Sequence, residues 1–153
     1  MDAHNASRFH TLLSRIDDAV ARATTTTFDD VVREIDTLAS EAQQVLSQCG
    51  VADISFGASI LERKLHLAIK ANASIDCCKR LLNHRLCLSR NDIVSIVGLY
   101  CLLCKYLISI GELAEAEILY SNLRHLVDDY SRSATEMQAI LEKRWTDLVA
   151  GRR

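Results

Sequence analysis

Residues 93–110 read IVSIVGLYCLLCKYLISI, and no other stretch of the chain is so apolar for so long. A single charge, Lys105, interrupts it. Asn91 and Asp92 precede it with side chains suited to capping a helix, and Gly111 follows where a left-handed residue closes one. Apolar residues lie on every side of the helical wheel, which predicts a helix surrounded by others, the central post of an all-α domain. Eighteen residues at ~1.5 Å each reach about 27 Å, barely the thickness of a bilayer core. Lys105 would then sit well inside the lipid at a cost of a few kcal/mol. The amphipathic helices on either side also need a core to cover. The expectation is therefore a post within protein and no membrane span.

Outward from the post, the sequence reads as helices with short joints. The chain has 153 residues, five glycines and no proline, so few positions break a helix. Phe9, Leu12, Leu13, Ile16, Ala19, Val20 and Ala23 recur at three- and four-residue spacing and predict a helix over 5–23. The run Thr24–Thr27 breaks it, because hydroxyl side chains compete for backbone hydrogen bonds, and Thr27 is the expected cap of the next helix. That helix, 28–48, carries an apolar stripe from Phe28 to Leu46 and ends at Cys49-Gly50. Two such helices should fold back as an antiparallel hairpin. Residues 51–57 then read as an irregular link. Ser59-Ile-Leu-Glu62 has the form of a capping box opening a third helix to about 73. Ser74-Ile-Asp opens a fourth to about 88, the post follows, and 112–127 is its return helix. Ser133-Ala-Thr-Glu136 opens an amphipathic closing helix with Met137, Ile140, Leu141, Trp145 and Leu148. Seven helices result, three hairpins plus a closing helix in one domain over 1–150: an N-terminal hairpin (1–49), further hairpins and the closing helix (58–150), and a frayed tail (151–153).

Charge is unevenly placed. From Glu62 to Arg90 there are seven basic residues (Arg63, Lys64, Lys70, Lys79, Arg80, Arg85, Arg90) against Glu62 and Asp76. That segment is +5, so within a chain of net −2 the remainder carries −7. Such a segment calls for an acidic partner or for an acidic arm of the same chain, unless it is a plain solvated face. Six cysteines sit in apolar helical runs, where they behave as small hydrophobes. The polar N-terminus MDAHNASRFH lacks the apolar core of a secretory signal, and a reducing, cytoplasmic setting is expected.

The post and its return helix resemble a tetratricopeptide repeat, which recurs every 34 residues with a small set of fixed offsets. Across 97–130 the chain supplies Tyr100, Leu103, Cys104, Leu107, Gly111, Ala116, Tyr120 and Leu123 at matching places. Leu123 replaces the usual alanine and Asp128 the usual proline. Upstream the match is poor, with Cys77 at the turn glycine and Lys70 at the small residue; downstream only a first helix fits. The resemblance implies that the first helix of each hairpin lines a concave groove for a partner's peptide or helix. Its offsets place Gly98, Cys101, Lys105 and Ile108 on that face, with Lys64 and Leu67 upstream and Arg132 and Thr135 downstream. Lys64, Lys105 and Arg132 along one groove would suit an acidic or amphipathic segment. In size and layout the chain looks like the small repeat-type chaperones of bacterial secretion systems, the type III kind among them.

Other chemistry is weaker. Cys101-Leu-Leu-Cys104 has zinc-like spacing, with Cys77, Cys78, His84 and Cys87 upstream, but in helical, leucine-rich context rather than in turns. His84 and Cys87 fall one helical turn apart, with no third residue to orient them and no glycine-rich oxyanion loop. No enzyme activity, metal or cofactor is expected. Lys79, Arg80, Arg85 and Arg90 could track phosphates, yet no aromatic accompanies them for base stacking, so nucleic acid is the lesser alternative. The heptad-like stripe of the N-terminal helices could also pair between chains as a homo-oligomer contact.

Overall fold

The computed structural model describes residues 2–51, 54–88, 93–130 and 134–151. Among them there are seven α-helices and no strand: α1 (Ala3–Arg22), α2 (Phe28–Gln48), α3 (Ile54–Lys70), α4 (Ile75–Leu88), α5 (Ile93–Ser109), α6 (Leu113–Tyr130) and α7 (Ala134–Ala150). None of the described helices is long and apolar enough to cross a membrane. Three hairpins, α1–α2, α3–α4 and α5–α6, are each packed along their length, and α7 lies against α6 and α5. The chain divides into two compact units, 1–89 and 90–153.

In the N-terminal unit, Asp2 caps α1, its carboxylate accepting the Asn5 N–H at 2.8 Å. The apolar stripes of α1 and α2 then close on each other. Leu12, Ile16 and Ala19 meet Val31, Ile35, Leu38, Ala42 and Val45 in one buried cluster that α3 completes with Phe56, Ile60 and Leu67. Each large aliphatic side chain so buried contributes roughly 1.5–3 kcal/mol of transfer free energy. The stripe is thus packed inside the hairpin and against α3.

Two expectations are corrected here. Thr27 stands at the N-cap position of α2 but makes no cap bond. Its hydroxyl instead accepts the Thr24 N–H at 2.8 Å, so the threonines close a turn on themselves. Nor does α3 begin at Ser59, since it starts five residues earlier, at Ile54. The longer helix brings Phe56 onto Phe9, ring centroids 5.5 Å apart, a contact an irregular link would forgo. Both residues of the supposed capping box serve elsewhere. Ser59 accepts from Arg63, and Glu62 accepts from Arg85 at 3.1 Å. Ser74 does cap α4, its hydroxyl accepting the Cys77 N–H at 3.2 Å.

Left-handed residues end three helices: Gly50 (φ +71°), Asn72 (φ +55°) and Gly111 (φ +84°). After each, the chain donates back to the last turn: Val51 to Leu46, Ala73 to Ala68 and Glu112 to Leu107, at 2.8–2.9 Å.

In the C-terminal unit, Gly111 turns α5 back into α6. Ala116, fully buried, lets the two helices approach until the Cys104 thiol reaches the Ala116 carbonyl at 3.7 Å. Leu119, Leu123 and Val127 of α6 fill the interface. Helix α7 adds buried Leu141 and the Trp145 ring, stacked on Tyr120 at 4.7 Å and 11°. Although α5 is apolar all round, it is not covered all round. Val94 is 73% exposed, and Gly98, Lys105 and Ser109 are exposed on the same side. That side carries the smallest residues and the single charge of the helix, which is why it can stand open.

Candidate functional site

The open side of α5 faces α7 across a groove. Two adjoining clefts make it up, of about 460 Å³ and about 500 Å³. Gly98, Cys101, Leu102 and Lys105 line the first with Arg144, Asp147 and Leu148. Lys105, Ile108, Ser109 and Gly111 line the second with Asp147, Leu148 and Gly151. Lys105, Asp147 and Leu148 belong to both, so the clefts run on as one channel along the two helices.

Helical spacing explains the two walls. On α5, positions 94, 98, 101, 105 and 108 repeat every three or four residues and so share one face. On α7, positions 140, 144, 147 and 151 do the same, while Leu141 and Trp145 turn inward to the core. Ile140, 50% exposed, falls on the helical face of Arg144 and Asp147, as Val94 falls on that of Gly98 and Lys105. The floor is apolar and the polar groups sit at the rim. Lys105 and Arg144 are both exposed, and among the described residues neither forms an ion pair. Arg144 reaches toward Cys101, Nη1 to Sγ 3.9 Å. Asp147 is the one carboxylate on the described lining.

Gly98 stands out in this wall. It lies mid-helix, and a Cβ built there would meet nothing within 4 Å. Glycine in a helix interior destabilises by roughly 0.5–1 kcal/mol relative to alanine. No packing among the described residues requires one here, and its effect is to leave the α5 backbone bare at the groove.

Four of the residues named from the repeat offsets, Gly98, Cys101, Lys105 and Ile108, are therefore brought together on one wall. The other four are not. Leu67 is fully buried in the N-terminal core, and the Lys64 ammonium, largely buried, pairs with Asp36 of α2. Neither lines an open face, because α3 turns this side onto the first hairpin. Arg132 and the Thr135 side chain lie outside the described residues. So do Asn91, Asp92, the Ser133 end of the second capping box, and the last two residues of the tail.

The facing wall was missed for a reason the helix lengths supply. A 34-residue offset carries the α5 face onto 132–142. Yet α7 begins 41 residues after α5, and the Cys101–Arg144 pair spans 43. The seventeen- and eighteen-residue helices α5 and α6 push the next wall further along the chain. The 41 residues between the two helix starts carry Cys101 to Glu142 and Lys105 to Thr146, close to the observed wall at Arg144 and Asp147, which the 34-residue offset misses by a further two turns.

The basic segment finds acidic partners within its own unit. Arg63 pairs with Asp17 of α1 at 2.9 Å, Lys64 with Asp36 of α2, and Lys70 donates to the Ala21 carbonyl at 3.2 Å. Arg85 is 3% exposed against Glu62. Arg80 remains exposed, and Arg90 lies outside the described residues.

The cysteines follow their helices. Cys78 and Cys104 are buried, and burial, helped by the neighbouring Cys77 and Cys101 respectively, pushes their thiols up to about 11 and about 12. At neutral pH both hold their protons, the wrong form for a nucleophile. Among the described residues no three His, Cys, Asp or Glu side chains converge as metal ligands would. Behind the groove, desolvation raises the Tyr120 hydroxyl against the opposing influence of Arg124, whose guanidinium lies 6.0 Å from the ring centre.

No protein family model, curated protein or solved structure matches this chain.

Proposed function

We propose that this chain is a non-enzymatic protein-binding module that holds a short, acidic, amphipathic helical segment of a partner in the α5–α7 groove. The observation that carries this reading is the groove itself: an apolar channel with two exposed cations, Lys105 and Arg144, at its rim that form no ion pair among the described residues. An amphipathic helix could lay its apolar stripe along such a channel and present carboxylates to the flanking cations. Gly98 supports the same picture, since a bare backbone permits close approach of a second helix. In a tetratricopeptide-like arrangement the occupied face would be this one. A small cytoplasmic chaperone or complex subunit is the form of the proposal that the chain's size and helix-embedded cysteines favour.

Nucleic-acid binding through 62–90 is the weaker reading, because Arg63, Lys64 and Arg85 already face carboxylates.

Partner capture from lysate of the native host, read by mass spectrometry, tests the proposal with three variants. Lys105→Glu and Gly98→Trp should each abolish capture with helicity unchanged by circular dichroism, and Arg80→Glu should retain it. Equal capture by all three would remove the groove from consideration.

A further inference from the structure

We infer that the α5–α7 groove is occupied by the outer face of α6 from a second copy of this chain, joined head to tail. The inference rests on the groove reading above and gives the occupant an identity.

The chemistry asked of the occupant is present on the same unit. Ile118 of α6 is 57% exposed, second only to Val94 among the large apolar side chains of the described residues. Ala114, Ile118 and Ser121 are all exposed and, at four- and three-residue spacing, form a narrow outward stripe. Ala114 and Ser121 are small, so the isoleucine projects between them as a knob. Acidic residues border it. Glu117 is exposed beside Ile118, exposed Glu112 precedes the helix, and α6 as a whole carries four carboxylates against Arg124 alone. Arg124 is itself engaged by Glu142 at 3.4 Å. The groove offers the complement: an apolar channel over Gly98 and Cys101, wide enough for a branched side chain, with Lys105 and Arg144 at its edge and in no ion pair among the described residues.

The two surfaces belong to different helices and are not self-complementary. A contact between them leaves one free groove and one free knob at the ends, so it extends into rings or open chains rather than stopping at a symmetric dimer. Opposite charges on knob and groove also set the sense of docking, and weaken it as salt rises.

Sedimentation velocity of the full chain over a concentration series at low salt tests this. The weight-average mass should climb above the 17.1 kDa of one chain and return toward it at high salt. Ile118→Asp removes the knob and Lys105→Glu the groove charge; both positions are exposed, and circular dichroism checks that folding is intact. Each variant alone should stay at one chain mass. Mixed in equal amounts they should form a species of two chains and nothing larger, because one retains a knob and the other a groove. A wild-type chain that stays monomeric throughout, or variants that assemble as well as wild type, would overturn the inference. The groove reading is tested apart from it. If the host-lysate capture above is lost in Lys105→Glu while the wild-type chain remains monomeric, the groove stands and only the self-assembly fails.

Discussion

Cys104 is held at 2% exposure between α5 and α6, and Cys78 is fully buried in α4. Both thiols ionise harder than the ordinary value of 9.0, because a thiolate there would lose its water. Their contribution to stability is complete below about pH 9, where folded and unfolded chains alike keep the protons. It is lost as pH rises toward about 11 for Cys78 and about 12 for Cys104, since the unfolded chain gives up its protons first. Thermal melts should therefore fall steeply above pH 9 in the wild type, and less steeply in a Cys78→Ala, Cys104→Ala double variant whose melting point starts lower. Equal slopes would show that these thiols do not carry the alkaline loss. Lys105 presents the opposite case at the same scale. It is the one charge in the most apolar helix, and it stands in solvent at a groove rim rather than inside the core.

Glycine shows how an element's geometry decides what a residue does. Gly98 and Gly111 lie thirteen residues apart in sequence, and an alanine at either meets no neighbour within 4 Å. Gly111 has φ +84°, a conformation that an L side chain opposes by roughly 1–2 kcal/mol, whereas Gly98 is ordinary helix. Gly98→Ala should thus stabilise by up to about 1 kcal/mol, and Gly111→Ala should destabilise by about 1 kcal/mol or more. Urea titrations followed by circular dichroism read both, and a shared sign would contradict the backbone assignment. Helix stripes were legible from sequence: α2 runs over the expected 28–48, and its stripe from Phe28 to Leu46 is the one that packs. Helix starts were less so. Ser59 and Thr27 have capping chemistry, but a side chain can bond wherever the fold brings a partner, and Arg63 and Thr24 were nearer.

At the scale of the molecule, each unit has a core of its own. The N-terminal one is closed by α1, α2 and α3, and the C-terminal one by α5, α6 and Leu141 with Trp145 of α7. Residues 1–89 expressed alone should accordingly fold as a helical species with a cooperative thermal transition, observable by circular dichroism at 222 nm. A non-cooperative or unfolded fragment would mean that its core does not suffice. The +5 segment is settled at this scale too. Arg63, Lys64 and Lys70 are drawn onto α1 and α2 and Arg85 onto Glu62, so four of its seven cations are engaged within the unit.

The sequence alone determined the fold class and the helices, because apolar periodicity and left-handed glycines act over one or two helical turns; the α5 face was named by the offsets of the tetratricopeptide resemblance. Tertiary structure decided which charges meet, where α3 begins and which residues form the opposite wall. Those outcomes depend on distances between helices far apart in the chain. The walls lie 43 residues apart at Cys101 and Arg144, a separation set by the summed lengths of α5 and α6 and by no local pattern.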